Sequence, residues 1–316
     1  MIDRRLVAVT VLALIAVSLR AEAQPARPVR TIGIVGHTPA TPFEEGLRDL
    51  GWVEGKNVRF ERRLTTDDRT LAQFATELVR LRVDVVFAGN AAATRATAKI
   101  TQTIPIITVS ADPVVAGVAA SLARPGTNVT GLAITQPMGK RLEILTQSLP
   151  IARRVALLAN PSNPGTRPMR AETEAVAHSI GVQLLEFEAS TPAQLSKVLA
   201  SLVKARPDAL LVTGEPLFWA NHQDVLKAVA RYRVPAMWDH QAFVDAGGLM
   251  SYGANPSELY RRAATFVDKI LKGAKPTDLP IEQPTKFDLV INVKTASALG
   301  LTIPPPVLLR ADHLVQ

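Results

Sequence analysis

The chain has 316 residues and a formal net charge of +8, and 47% of its residues are hydrophobic while only 5% are aromatic. It contains no cysteine, which excludes disulfide bonds, thiol nucleophiles, thiolate metal sites and lipid attachment through a cysteine. The basic residues are dispersed in pairs among acids, so the charge predicts a solvated basic surface and no nucleic-acid binding.

The first 23 residues have the three parts of a secretory signal peptide. Arg4 and Arg5 form a basic start, residues 6–19 are an uncharged apolar run, and Ala21 and Ala23 supply small side chains at the two positions that signal peptidase reads. The alternative is a retained membrane anchor, but about fourteen apolar residues fall short of the roughly twenty that span a bilayer. We therefore predict cleavage after about Ala23 and a periplasmic location.

After an extended leader at 24–30, short β-branched runs alternate with helical patterns. The strands predicted in the first half are 31–35, 58–62, 83–88, 106–109 and 129–133, and the helices are 41–50, 70–81, 91–100 and 115–122. The second half predicts strands at 155–159, 182–188, 209–213, 236–239 and 287–293, and helices at 137–149, 167–180, 192–204, 219–232, 256–271 and 294–299. This βαβα order predicts two parallel sheets covered by helices on both faces.

Ligands of open parallel sheets bind beyond the carboxyl ends of the strands, so the loops at those ends are the candidate site. The first such loop contains Gly36 and His37. None of the loops carries a glycine-rich nucleotide motif, a nucleophile elbow or a zinc-protease motif, and the histidines lack metal-ligand spacing. We therefore expect no catalytic residue, no metal and no cofactor.

The strand-end loops of the first half are small and polar, which favours a charged solute. Asn90 and Ala91 begin a helix directly after a strand, where free backbone N–H groups accept a carboxylate. The alternative is that Asn90 is a plain helix cap. Ser110 and Asp112 repeat the arrangement in the next loop, where Asp112 either caps a helix or meets a cation.

The second half contributes acids and aromatic residues to the candidate site. Glu215 and Asp239 end predicted strands, and they either pair with a ligand ammonium group or lie exposed at the surface. Trp238 and Tyr252 are candidates for the apolar wall of the site. For Trp219 we favour packing against the neighbouring helix.

Long stretches of the chain resemble the ABC-transporter substrate-binding family that includes tryptophan- and tyrosine-binding lipoproteins. These stretches are FEEGLRDLGWVEGKN at 43–57, DPV at 112–114, LARPGTNVTG at 122–131, GGLMSYG at 247–253, VDKILKGAKP at 267–276 and PTKFDLVIN at 284–292. The resemblance runs from about Val29 to Asp312. Unlike the lipoprotein members, this chain has no cysteine to acylate.

The resemblance implies a type I periplasmic-binding fold, with two Rossmann-like lobes joined by a three-crossover hinge. It implies that residues 31–133 and about 254–278 form the first lobe, and that 134–253 and about 279–316 form the second. In such proteins, first-lobe loops meet the ligand carboxylate and an acid meets its amine. The first-lobe residues that correspond here are Asn90, Ala91, Ser110 and Asp112.

The function expected from these features is that of the periplasmic solute-binding component of an ABC importer, which is not an enzyme. It would close by its hinge on a small carboxylate-bearing solute, with an amino acid, aromatic or not, as the candidate. Its partners would be an ABC permease and the permease's ATPase, and the protein would be a monomer. Two alternatives are a ligand-sensing domain that acts with a membrane receptor and an α/β-fold enzyme.

Overall fold

The computed structural model describes residues 28–36, 40–65, 67–163 and 165–316. The predicted signal peptide, most of the leader and His37 lie outside these ranges. Within them, no helix combines the length and the apolar character that crossing a bilayer requires.

The first lobe is built on a five-stranded, fully parallel sheet with the strand order β2-β1-β3-β4-β5. Its strands are β1 (Arg30–Gly36), β2 (Val58–Leu64), β3 (Val85–Ala88), β4 (Ile106–Ala111) and β5 (Val129–Ile134). Its connecting helices are α1 (Thr41–Asp49), α2 (Asp68–Arg80) and α3 (Ala91–Ile100). All four residues of β3 are buried, as expected for a central parallel strand covered on both faces.

The helix predicted at 115–122 does not form, and a series of turns replaces it. Oδ1 of Asp112 accepts hydrogen bonds from the backbone N–H groups of Val114 and Val115. Gly117 then adopts a left-handed conformation with φ of 72°, which a right-handed helix cannot accommodate. The prediction was wrong because these local turn contacts compete with helix formation.

The second lobe contains a seven-stranded sheet with the order β12-β11-β10-β9-β8-β6-β7. Its strands are β6 (Arg154–Ala159), β7 (Gln183–Glu188), β8 (Ala209–Val212), β9 (Ala236–Trp238), β10 (Met250–Gly253), β11 (Asp288–Asn292) and β12 (His313–Val315). The helices of this part of the chain are α4 (Met138–Ser148), α5 (Thr166–Ser179), α6 (Pro192–Ala205), α7 (Pro216–Ala220), α8 (His222–Arg231), α9 (Gln241–Asp245), α10 (Pro256–Leu271), α11 (Val293–Leu299) and α12 (Pro305–Leu308). The single helix predicted at 219–232 is thus two helices, α7 and α8.

One antiparallel pair interrupts the otherwise parallel second sheet. Strands β10 and β11 run in opposite directions, with Gly253 opposite Asp288. The chain leaves the second lobe at the carboxyl end of β10 and returns at that same end, so β11 has to run back alongside β10. The predicted architecture of two α/β lobes with parallel sheets is confirmed, with this one local exception.

The chain passes between the lobes three times. It enters the second lobe between β5 and α4, and it returns between β10 and α10, whose apolar face packs on the first-lobe core. The third passage follows Glu282, because Ile281 and Glu282 still donate backbone hydrogen bonds to first-lobe carbonyl groups. The first-lobe contacts therefore extend four residues past the estimated boundary at 278.

Candidate functional site

The strands of both sheets end on the side where the crossovers run. Strand β5 of the first lobe and strand β10 of the second each lead directly into a crossover at their carboxyl ends. Because neighbouring strands within each lobe are parallel up to that point, their other strand-end loops lie at the same edge. The two sets of loops therefore border one cleft between the lobes.

The first-lobe side of the cleft is formed by the start of α3. Oδ1 of Asn90 accepts a hydrogen bond from the N–H of Ala93 at 2.8 Å, so the side chain caps the helix. The phenolic hydroxyl of Tyr260 donates to the carbonyl oxygen of Gly89 at 3.0 Å and holds the preceding loop. Gly36 lies beside this loop, because a Cβ atom built on it would be 3.6 Å from Nδ2 of Asn90. The first-turn N–H of Ala91 belongs to the same helix end.

The next loop presents Ser110 and Asp112, whose side chains already have protein partners. Ser110 is buried, accepts a hydrogen bond from the hydroxyl of Thr108 at 2.8 Å and donates to the carbonyl oxygen of Ala111 at 3.1 Å. Asp112 is exposed, and its carboxylate caps the turn that follows. The structure therefore places Asp112 as a cap, one of the two roles that the sequence predicts for it.

The second-lobe side of the cleft contains Asp239, whose carboxylate has one satisfied oxygen and one unsatisfied oxygen. Oδ2 accepts a hydrogen bond from the indole N–H of Trp219 at 3.2 Å. Oδ1 is buried and has no hydrogen-bond partner among the described residues. Gly214 packs directly against this carboxylate, since a Cβ atom there would clash with Oδ2 of Asp239. A buried acceptor without a partner is costly, and none of the described residues supplies a donor to Oδ1 of Asp239.

Glu215 follows Gly214 and is almost completely buried, with 1% of its surface exposed. Its Oε1 accepts a hydrogen bond from Nδ2 of Asn163 at 2.7 Å. Burial raises the pKa of Glu215 to about 7, the hydrogen bond from Asn163 opposes this shift, and the negative charge of Asp239 adds to it. Glu215 and Asp239, the two acids predicted at strand ends, therefore lie close enough in the structure to interact electrostatically.

A buried arginine lies behind these acids, and the sequence analysis did not identify it. Arg141 of α4 is 2% exposed; its Nε donates to the carbonyl oxygen of Tyr252 at 2.6 Å, and its Nη1 donates to Oε1 of Gln136 at 3.2 Å. Burial lowers the pKa of the Arg141 guanidinium, and the charge of Asp239 opposes that shift. A signal was present: Arg141 lies three residues after Met138 and four before Leu145, at the spacing of the apolar face of α4.

The structure corrects the expectation for Trp238 and bears out the packing expected for Trp219, whose ring lies edge-on to Phe243 of the neighbouring helix α9 at a centroid distance of 4.6 Å. Trp238 is fully buried, with its ring stacked on that of Phe243 at a centroid distance of 4.6 Å, because its side chain points from β9 into the second-lobe core. It has no surface open to the cleft. Trp219 is 37% exposed and its ring lies 5.0 Å from the imidazole of His240, so it is Trp219 that presents an aromatic face beside Asp239.

Tyr252 lies at the hinge instead of forming a wall. Its ring is half-buried and stacks on Phe287 at 5.6 Å, which connects the second crossover to the third. Among the described residues, no group of three or more His, Asp or Glu side chains is close enough together to hold a metal ion.

A family model described as ABC transporter substrate binding protein matches residues 39–315. The chain belongs to this family. A tyrosine-binding protein from Clostridioides difficile (strain R20291) is 26% identical to this substrate-binding protein over 261 residues, which cover 82% of this chain and 75% of that protein.

Solved structures have the same fold as this substrate-binding protein. An ABC domain from Streptococcus pneumonia in complex with L-Trp is 24% identical, with a TM-score of 0.85 over 91% of this chain and 100% of that chain. A ligand-free, open structure of a substrate-binding protein with adhesive properties from Clostridium difficile is 25% identical, with a TM-score of 0.72 over 91% of this chain and 100% of that chain.

Proposed function

We propose that this substrate-binding protein is the periplasmic solute-binding component of an ABC importer and that it binds an amino acid in the cleft between its lobes. The observation that carries the proposal is the buried, unpartnered Oδ1 of Asp239. A ligand ammonium group would supply the missing donor, and a charge-assisted hydrogen bond in a desolvated cleft is among the stronger polar contacts.

The first lobe supports binding of the other end of an amino acid. The start of α3 directs free backbone N–H groups and the positive end of the helix dipole toward the cleft, and both favour a carboxylate. A ligand with a carboxylate at α3 and an ammonium group at Asp239 would contact both lobes at once. Such a ligand binds the closed arrangement better than the open one, and this difference in affinity drives hinge closure.

The side chain of the ligand would lie beside Trp219. Its exposed ring, next to the imidazole of His240, forms a surface suited to a planar apolar group. The tyrosine-binding relative and the structural neighbour in complex with L-Trp favour an aromatic amino acid. The bound protein would then deliver this solute to an ABC permease and its ATPase. We further propose that the exported chain is not tethered to a lipid, since it has no cysteine to acylate, and that it acts as a monomer in the periplasm.

The proposal is tested by calorimetric titration of the mature protein, from Gln24 onward, with the twenty amino acids. We expect at least one amino acid to bind, and Asp239→Asn to weaken that binding about 10- to 100-fold, because a charge-assisted contact contributes roughly 1.5–3 kcal/mol. The matched control is Asp268→Asn. Asp268 accepts a hydrogen bond from the indole of Trp52 at 3.0 Å, which reproduces the Asp239–Trp219 pair away from the cleft.

The control variant should bind like the unmodified protein. Failure of every amino acid to bind would contradict the proposed function, as would chemical conversion of a bound compound. Equal affinities of the Asp239→Asn variant and the unmodified protein would show that the cleft uses another group for the amine.

A further inference from the structure

The second-lobe wall of the cleft contains more acidic than basic side chains. Asp239 and Glu215 are both acids, and neither forms an ion pair with a lysine or arginine in the part of the chain that the structure describes. Arg141 is the buried cation nearby, but its Nε and Nη1 are directed to Tyr252 and Gln136. The guanidinium of Arg141 is therefore near the two acids but donates these hydrogen bonds to other residues.

The groups around Glu215 come from four elements. Asn163, before α5, donates the hydrogen bond to its carboxylate, and Asp239, after β9, adds a negative charge. Arg141 of α4 acts on Asp239, and Glu172 of α5 in turn acts on Arg141. His240, the N-cap of α9, has its pKa lowered by burial. A neutral imidazole does not supply the missing positive charge.

We propose that Glu215 is a second specificity-determining acid of the cleft, which holds a proton while no ligand is bound and releases it when a ligand ammonium group meets Asp239. The inference rests on the proposed function, because it takes the ligand to be an amine-bearing solute. With the ammonium group bound, the wall contains two positive and two negative charges. The added positive charge of the ammonium group lowers the pKa of Glu215, and its carboxyl group therefore loses the proton.

The direction of this coupling follows from the burial of Glu215. In the free protein, burial and the charge of Asp239 keep its pKa near 7, so the carboxyl group is mostly protonated at pH 6. A cation placed beside the buried Glu215 lowers the pKa of its carboxyl group strongly, because the interaction is poorly screened. The proton leaves to the solvent, and the ionised Glu215 then adds its attraction to that of Asp239.

The ligand class follows from this arrangement. A solute that lacks a cation at its second-lobe end would leave both acids without a counter-charge. The cleft is therefore expected to reject the des-amino analogue of its amino acid, for example 3-(4-hydroxyphenyl)propionate in place of L-tyrosine. Rejection of this analogue would grow as the pH rises above 7, where Glu215 is ionised in the free protein.

The experiment is calorimetric titration of the mature protein with L-tyrosine, or with the amino acid that binds most tightly in the full set of twenty. Titrations at pH 6 in two buffers of different ionisation enthalpy measure the protons released. If the pKa of Glu215 returns to its ordinary value in the complex, about 0.9 proton is released at pH 6 and about 0.1 at pH 8. The affinity then rises about 50-fold or more between pH 5 and pH 8.

Glu215→Gln is the test variant, because glutamine retains the acceptor for Asn163 and has no proton to release. It should bind the amino acid with no proton release at pH 6 and with an affinity that changes little with pH. Glu186→Gln is the matched control: burial also raises the pKa of Glu186, but this residue lies on β7 and pairs with Arg170 of α5. This control should release protons like the unmodified protein.

The outcomes separate the two proposals. Binding without proton release, or equal release by the unmodified protein and the Glu215→Gln variant, overturns the role of Glu215 and leaves the proposed function standing. Absence of binding by every amino acid overturns the proposed function itself.

Discussion

The side-chain amide of Gln136 pairs with the backbone of Gly214 through two hydrogen bonds. Its Nε2 donates to the carbonyl oxygen of Gly214 at 2.9 Å, and its Oε1 accepts from the Gly214 N–H at 2.7 Å. Gln136 lies in the first crossover, and Gly214 directly precedes Glu215 in the loop between β8 and α7. The pair therefore attaches the crossover to the second-lobe wall of the cleft, and Arg141 adds a third contact to the same Oε1.

Replacement of Gln136 by alanine is expected to destabilise the protein and to weaken ligand binding. The variant leaves the N–H and carbonyl groups of Gly214 without their partners, and because Gly214 is only half-buried, each costs about 1–2 kcal/mol, in the lower part of the usual range. Nη1 of Arg141 loses its bond to Gln136 but keeps its contact with Sδ of Met138. We expect a total loss of about 2–4 kcal/mol, measured by urea unfolding. The control is Gln147→Ala, whose exposed side chain accepts a hydrogen bond from Arg310. A control as unstable as Gln136→Ala would contradict this explanation.

Gly214→Ala should lower ligand affinity more than it lowers stability. A Cβ atom at Gly214 would clash with Oδ2 of Asp239, so the acid has to move away from its position beside Trp219. We expect the affinity to fall at least tenfold, which corresponds to about 1.4 kcal/mol, in a calorimetric titration. Gly36→Ala is the control on the opposite wall, because its Cβ would have ordinary contacts at 3.6 Å and beyond. Stability of this control should change by less than about 1 kcal/mol.

Tryptophan fluorescence should report ligand binding through Trp219. Its ring is partly exposed and its indole is bonded to Asp239, whereas Trp238 is buried in the core. We expect a change of emission on binding that disappears in Trp219→Phe. The matched control is Trp52→Phe, because the indole of Trp52 also donates to an aspartate, Asp268, but in the first lobe. A fluorescence change that survives in Trp219→Phe and disappears in Trp52→Phe would place the ligand elsewhere.

The stability of the ligand-free protein should fall as the pH rises from about 4.5 to 7. In this range Glu215 is ionised in the unfolded chain but protonated in the folded protein, whose pKa is raised to about 7. The folded state therefore binds more protons than the unfolded state, and each pH unit lowers the free energy of unfolding by up to about 1.4 kcal/mol. The full loss, about 3 kcal/mol, is reached above pH 7.

The Glu215→Gln variant should not show this loss. Its free energy of unfolding, relative to that of the unmodified protein, should increase between pH 4.5 and pH 7 and then remain constant. Urea unfolding at pH 4.5, 6 and 8 measures the difference. A difference that does not change with pH would show that the pKa of Glu215 in the folded protein is close to its ordinary value.

The alternation of strands and helices predicted most of the architecture. Residues 91–100 and 256–271 form helices with the predicted bounds, because each has a capping asparagine and apolar side chains at helical spacing. Strands β10 and β12 were missed: they are only four and three residues long, and pairing with β11 stabilises them more than their own sequence does. Local propensity does not reveal such contacts.

The positions of candidate site residues could be predicted where they follow from the direction of a strand. Whether a side chain points into the core or toward the cleft could not be predicted. Glu215 and Asp239 come together because parallel strands end at one edge. Trp238 points into the core and Trp219 lies at the surface, which the order of residues alone does not distinguish.

The amino-acid sequence by itself determined the two-lobed α/β fold and the family, since periodicity and long family segments are both local properties of the chain. Only the tertiary structure decided that Arg141, Gln136 and Gly214 form one hydrogen-bonded unit behind Asp239. The physical reason is that burial, which sets the cost of each unpaired polar group, arises from residues that are distant in the sequence and adjacent in space.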